Sequence, residues 1–107
     1  MEYRFNESNF TEEVMNSNIP VMIDFYAEWC GPCRMMSPLV EQFAEEYEGK
    51  VKIGKINVDE EGGIAERFGV QSIPSFVFIK NGEVVRTVTG AMPKAVLNNH
   101  LEDLAAG

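Results

Sequence analysis

Residues 21–27 constrain the fold of this chain more than any other segment. Apart from Asp24, all of them are apolar. A strand with apolar side chains on both faces is typical of the middle of a sheet that helices cover on each side. The sequence therefore predicts an α/β fold arranged around this strand.

A helical pattern begins a few residues after that strand. Apolar residues at 35, 36, 39, 40, 43, 44 and 47 recur with spacings of three and four, which predicts a helix over 34–47. Pro38 should kink this helix, because proline supplies no amide hydrogen and crowds the preceding turn. Gly49 is expected to mark its end.

Two shorter elements are predicted before the central strand. Residues 2–5 form a candidate edge strand, and Asn6 or Ser8 can cap a short helix that ends at about Met15. After the long helix, β-branched residues predict a strand over 51–58.

Asp59 can cap the next helix, over 59–68, and two glycines at its start should keep that helix short or irregular. Residues 75–80 and 83–89 then predict two strands joined by a two-residue hairpin turn at Asn81-Gly82. Pro93 fits the first turn of a final helix, whose core-facing residues are Leu97, Leu101 and Leu104.

The resulting order is β-α-β-α-β-α-β-β-α. Alternating strands and helices imply parallel pairing, whereas the hairpin must be antiparallel. We therefore expect one domain over 1–107, with a mixed sheet of about five strands and helices on both faces.

Composition narrows the class of function. The chain has 107 residues, of which 45% are hydrophobic, enough for one packed core. Its net charge of -8 repels phosphate backbones and disfavours nucleic acid as a partner. Residues 1–6 carry no signal-peptide pattern, and no apolar run is long enough to span a membrane. We expect a soluble, cytoplasmic monomer.

The two cysteines of the chain, Cys30 and Cys33, lie where the central strand gives way to the long helix. At positions i and i+3 of a first helical turn they are close enough for a reversible disulfide. The helix start stabilises a thiolate at Cys30. Pro32 suits that turn and Gly31 leaves the sulfur accessible. Cys33, one turn further in, is expected to be the more buried.

This arrangement predicts dithiol–disulfide exchange. The Cys30 thiolate would attack a substrate disulfide, and Cys33 would then attack the mixed disulfide and release reduced substrate. Asp24, an acid in an apolar strand, should have a raised pKa and could exchange the Cys33 proton. Lys55 is the available positive partner of Asp24, and a lysine that merely reaches solvent is an equally good interpretation of it.

A zinc site is the main alternative for a Cys-x-x-Cys pair. A closed structural site needs four ligands, and the chain adds only His100, far along the final helix. We therefore predict no metal site.

The sequence resembles the thioredoxin family. The resemblance rests on the segments DFYAEWCGPC at 24–33 with Pro38 downstream, KINVD at 55–59, FGVQSIP at 68–74, FIKNG at 78–82 and GA at 90–91. Together they cover essentially the whole chain, in the order and spacing of the family.

The resemblance implies a five-stranded mixed sheet flanked by four helices. It implies protein disulfide reduction, with electrons delivered by a thioredoxin reductase, an NADPH-dependent flavoprotein, and no cofactor bound to this chain. By position, Cys30 would be the nucleophile, Cys33 the resolving thiol and Asp24 the buried acid–base group.

The resemblance also implies a substrate surface beside the disulfide. Pro74 matches the family's cis-proline, and an apolar surface that binds an extended substrate segment would consist of Trp29, Ile73, Pro74, Gly90 and Ala91.

The chain departs from the family pattern at several positions. Tyr26 replaces a frequent tryptophan and Arg34 a common lysine, and Gly62 stands where proline is common. Ser72 and Thr89 differ from the usual residues around the groove, which leaves substrate and reductase preference open. Two other functions also remain open: a binding module in which the cysteines are incidental, and a disulfide isomerase or oxidant.

Overall fold

The computed structural model describes residues 1–106. Five strands and four helices follow one another in the predicted order: β1 (Tyr3–Arg4), α1 (Thr11–Met15, a π-helix), β2 (Val21–Tyr26), α2 (Gly31–Glu46), β3 (Lys52–Asn57), α3 (Gly62–Arg67), β4 (Ser75–Lys80), β5 (Glu83–Thr89) and α4 (Lys94–Ala106). The strands form one mixed sheet in the order β1-β3-β2-β4-β5. The predicted α/β fold, a five-stranded mixed sheet with four helices, is confirmed.

Strand β2 lies at the centre of the sheet and is buried along its whole length. It pairs with β3 in parallel and with β4 antiparallel. In this register Asp24 lies beside Lys55 on β3 and Phe76 on β4. Burial on both faces is what the apolar run predicted, and it places the one acidic residue of β2 deep in the molecule.

The side chains of the sheet alternate between two cores. Those on one face, including Met22, Ile53 and Phe76, pack with buried residues of α2 and α4. Those on the other face, including Ile23 and Phe25, pack with buried residues of α1 and α3. Because strand side chains alternate with a period of two, Asp24 points to the same face as Met22, toward α2.

The hairpin and the final helix agree with the sequence prediction. Asn81 and Gly82 both have positive φ, 53° and 77°, as the favoured two-residue turn requires. Leu97, Leu101 and Leu104 are the buried residues of α4. Helix α2 continues through Pro38. No helix within residues 1–106 is both long enough and apolar enough to cross a membrane.

One capping prediction is wrong. Asp59 does not cap the helix after β3, because α3 begins only at Gly62 and has no side-chain cap. The intervening turn is organised by Asn57, whose side-chain oxygen accepts hydrogen bonds from the backbone N–H groups of Asp59 and Glu60. The Asp59 carboxylate is thereby left free for a contact beside the cysteine pair.

Candidate active site

The cysteine pair lies at the start of α2, directly above the end of β2. Cys30 is the N-cap of the helix, and its sulfur accepts a hydrogen bond from the Cys33 N–H at 3.2 Å. Pro32 occupies the first turn, where the absence of an amide hydrogen costs nothing. A helix start presents unpaired N–H groups and a positive partial charge, and both stabilise a thiolate at Cys30.

Cys30 and Cys33 form a disulfide, with their Cα atoms 5.2 Å apart. The prediction that Cys33 is the more buried is wrong for this form, because each cysteine is 4% exposed. The pair belongs to a small buried cluster with Tyr26 and Ala27, and Ile73 packs against that cluster. The loop at Ile73 thus contributes to covering both sulfurs.

Trp29 lies on the surface beside the disulfide and is 69% exposed. Its indole Nε1 donates a hydrogen bond to the Asp59 Oδ2 at 2.9 Å. This bond fixes a large aromatic side chain that burial does not hold. The interpretation of Trp29 as a surface residue is therefore supported over simple core packing.

Pro74 follows Ile73, the loop residue that packs against the cysteine cluster. The Ile73–Pro74 peptide bond is cis, as the resemblance implied, and Pro74 is buried. The Pro74 carbonyl accepts a hydrogen bond from the Gly90 N–H at 2.8 Å, which joins the loop before β4 to the end of β5. Ala91, next to Gly90, is exposed. All five residues predicted for the substrate surface thus lie on loops or turns next to strand or helix ends.

Asp24 lies beneath the disulfide and is 2% exposed. Among residues 1–106 its Oδ1 atom has no hydrogen-bond partner. Burial raises the pKa of Asp24 from 3.8 to about 7, Lys55 opposes that rise, and the Glu2 carboxylate adds to it. A raised pKa was predicted from the sequence, and a value near neutrality lets one carboxyl both accept and return a proton.

Asp24 and Cys33 line the same cavity, which has a volume of about 80 Å³. Its wall also includes Glu28 and Arg34, which are exposed, so the cavity reaches the surface. This volume is large enough for water. A proton path between Asp24, Cys33 and solvent is therefore physically available.

Lys55 lies beside Asp24, but its ion pair is with another residue. Its Nζ atom is 3.7 Å from the Glu2 Oε1 and 3.4 Å from the Ser37 Oγ, and it lies 4.8 Å from the centre of the Tyr26 ring. Within residues 1–106 no ion pair joins Lys55 to Asp24. Lys55 therefore acts on Asp24 through its charge, which opposes the rise in the pKa of Asp24, and not through a direct ion pair.

Two site residues, Glu2 and Asp59, were not predicted from the sequence. Glu2 is remote in sequence from every other residue of the site, and the predicted edge strand gave no reason to place its carboxylate near Lys55. The position of Asp59 could have indicated a site residue, because it follows β3, the strand beside β2. Its position suggested a helix cap instead. Both contacts join residues of different segments of the chain, and the periodicity within one strand or helix gives no information about contacts between segments.

Comparison with known proteins agrees with this geometry. The thioredoxin family model matches residues 2–103. The chain is 47% identical over 96 residues to thioredoxin 1 of Nostoc sp. (strain PCC 7120), covering 90% of each chain. It is 50% identical over 95 residues to thioredoxin of Pyropia yezoensis, 89% of each chain, and 49% identical over 96 residues to thioredoxin of Haemophilus influenzae, 90% of each chain. The chain belongs to the thioredoxin family and is a thiol–disulfide oxidoreductase.

Proposed function

We propose that this protein reduces disulfide bonds in other proteins and is returned to its dithiol form by a thioredoxin reductase. The observation that carries the proposal is the Cys30–Cys33 disulfide at a helix start, above a buried carboxyl group whose pKa is about 7. Once the pair is reduced, the helix start stabilises a reactive thiolate at Cys30. The buried carboxyl group of Asp24 can accept a proton near neutral pH.

In the first step the Cys30 thiolate attacks one sulfur of the substrate disulfide. A Cys30–substrate mixed disulfide forms, and the second substrate sulfur leaves as a thiolate that takes a proton. Cys30 is assigned the attack because it caps α2, where the helix end favours negative charge.

In the second step Cys33 gives up its proton and attacks the Cys30 sulfur. The substrate leaves as a second thiol, and the two electrons of the dithiol have passed to the substrate. A buried thiol ionises poorly, so Asp24 accepts the Cys33 proton through the cavity that both residues line. The reductase later supplies two electrons from NADPH, and Asp24 returns the proton to Cys33.

Substrate binds across the disulfide in an extended conformation. The proposed surface around the sulfurs consists of Trp29, Ile73, Pro74, Gly90 and Ala91, and backbone groups of its loops that are not already paired can bond a peptide strand. Ser72 and Thr89 are exposed near this surface, and Thr89 pairs with Ser75 directly after Pro74. These two polar side chains are proposed to influence which substrates and which reductase bind.

Insulin reduction tests this function. With NADPH and a thioredoxin reductase from the same source, the protein should precipitate insulin B chain and consume NADPH. Failure with a matched reductase, despite reduction of Cys30–Cys33 by dithiothreitol, would contradict the proposal.

A matched pair of variants tests the division of labour between the cysteines. Cys33→Ser should accumulate a mixed disulfide through Cys30, because the resolving thiol is gone. Cys30→Ser should trap no mixed disulfide, although it also replaces one sulfur atom by oxygen, at the other cysteine of the same helical turn. Mass spectrometry after incubation with a disulfide-containing protein distinguishes them, and equal trapping by both variants would overturn the assignment.

A further inference from the structure

A second, partly buried carboxyl group lies near Asp24. Glu2 has a side chain only 16% exposed, and its Oε2 atom has no hydrogen-bond partner among residues 1–106. Its Oε1 atom is 3.7 Å from the Lys55 Nζ, which is itself 10% exposed. Two acids therefore share the neighbourhood of one buried ammonium, and only Glu2 makes an ion pair with it.

We propose that Glu2 is a positioning residue of the exchange reaction: it holds the Lys55 ammonium away from Asp24 and so keeps Asp24 able to carry a proton for Cys33 near neutral pH. This inference rests on the proposed role of Asp24. It assigns a function to an N-terminal side chain that touches neither the disulfide nor the substrate surface.

The contacts of Lys55 explain how its head group is held. The Tyr26 ring lies on one side at 4.8 Å, and the Tyr26 hydroxyl accepts a hydrogen bond from Arg4 at 3.0 Å. Ser37 on α2 and Glu2 complete its surroundings. Lys55 thus has three partners apart from Asp24, although strand pairing places the two residues side by side.

Charge balance explains why Asp24 is the acid that keeps its proton. If both carboxyl groups ionised, the cluster would hold two negative charges and one positive charge in a region of low dielectric. Asp24 is the more buried acid and has no bonded cation within residues 1–106, so its neutral form is favoured. Burial also raises the pKa of Glu2 above its ordinary value, although the Lys55 ammonium opposes that rise.

Other charged and titratable groups face this cluster. Strand β4 contributes the apolar Phe76 beside Asp24. The remaining groups are Arg4 on β1, Tyr26 on β2, Glu28 in the loop after β2, and Arg34 and Glu41 on α2. None of these groups makes an ion pair with Lys55, whereas Glu2 does, which makes Glu2 the residue to change.

The reaction step affected is reduction of the Cys30–Cys33 disulfide by a dithiol. The reductant attacks Cys30, and the Cys33 sulfur leaves with the bonding electron pair as a thiolate. Protonated Asp24 gives that thiolate a proton and becomes a carboxylate, while the reductant supplies both electrons. The rate therefore follows the fraction of Asp24 that is protonated.

The test compares Glu2→Gln with Glu13→Gln. The control breaks a similar ion pair, in which the Glu13 carboxylate lies 2.9 Å from the Lys52 ammonium. Lys52 is on the same strand as Lys55 but does not face Asp24. Carbon-13 NMR of the oxidised protein reads the Asp24 pKa directly, without titrating thiols. With Lys55 released toward Asp24, Glu2→Gln should lower that pKa by about one unit, and Glu13→Gln should leave it unchanged.

The rate of disulfide reduction by dithiothreitol provides the second readout. A fall of about one unit makes the Glu2→Gln rate about fivefold slower than wild type near pH 7 and about equal to it below pH 5.5. An unchanged Asp24 pKa overturns the role of Glu2 while leaving the proposed function intact. A shifted pKa with an unshifted rate profile overturns the proposed role of Asp24, and with it the effect of Glu2 on the reaction.

A double-variant cycle with Lys55→Met separates the two ways in which Glu2 could act. If Glu2 acts by holding Lys55, adding Glu2→Gln to Lys55→Met should shift the Asp24 pKa by much less than it does in the wild type. An equal shift in both backgrounds means that the charge of Glu2 acts directly on Asp24, and overturns the holding mechanism.

Discussion

At the scale of single residues, Asp24 is where function and stability oppose each other. A carboxyl group at the centre of β2 lies among apolar neighbours, with one oxygen unpartnered within residues 1–106. Burying such a group is costly unless it stays protonated. The same burial brings its pKa to about 7, which suits proton exchange with Cys33. The burial of Asp24 therefore both destabilises the fold and gives the carboxyl group a pKa suited to proton exchange.

Replacing Asp24 with Asn should stabilise the fold at alkaline pH and slow release of the mixed disulfide. The pKa is higher in the folded state, so the contribution of the protonated carboxyl is fully present below 3.8 and is lost as the pH rises toward about 7. Ionisation of Asp24 thus lowers the free energy of unfolding of the wild type by an amount on the order of 4 kcal/mol. In the variant, the buried and partly unpaired Asn amide offsets roughly 1–3 kcal/mol of the stability gained by removing that carboxyl group.

Urea denaturation at two pH values checks this prediction. The advantage of Asp24→Asn should grow by about 2 kcal/mol between about pH 5.5 and about pH 8.5. The matched control is Asp103→Asn, at a side chain that is 68% exposed, whose effect should be nearly independent of pH. A pH-independent effect of Asp24→Asn would show that Asp24 does not titrate near neutrality.

At the scale of secondary-structure elements, β3 links the N-terminus to the site. Its Lys55 meets Glu2 on one face of the sheet, and its Gly54 receives the aromatic ring of Phe5 and the Tyr3 side chain on the other. A Cβ atom at Gly54 would lie 2.9 Å from the Tyr3 Cβ and closer still to the Phe5 ring. Glycine at this position lets β1 pair closely with β3 and so brings Glu2 within reach of Lys55.

Gly54→Ala should therefore destabilise the protein by about 1–3 kcal/mol, since neither Phe5 nor the backbone of β1 can move without disturbing the core. Gly62→Ala is the control, because a Cβ atom there meets nothing within 4 Å and alanine favours the helix α3. It should be neutral or stabilising by about 0.5 kcal/mol. Thermal unfolding distinguishes the two, and similar losses in both would contradict the packing argument.

At the scale of the whole molecule, the sequence was sufficient to predict the framework and only part of the site. Strands β4 and β5 begin and end where predicted, because an apolar run and an Asn-Gly turn are local signals. The chemistry at Cys30 and Cys33 is also local. Lys55 with Glu2 and Trp29 with Asp59 are contacts between distant segments, and no local pattern specifies them.

The equal burial of the two sulfurs has the same origin. A residue one turn into a helix normally lies deeper than its N-cap, which is why Cys33 was expected to be the more buried. In the disulfide form the two cysteines are equally exposed, and the Ile73 side chain, 40 residues beyond Cys33, is one of two that pack against their cluster. Only the folded sheet brings this loop to the helix start.

The redox potential of the Cys30–Cys33 pair tests the central claim, reduction of protein disulfides, most directly. Equilibration with glutathione or a reference dithiol, followed by thiol counting, gives this value. We predict a potential near that of thioredoxins, about -270 mV, so that the dithiol passes electrons to most substrate disulfides. A potential of about -180 mV or higher, where disulfide isomerases and oxidants operate, would contradict the account.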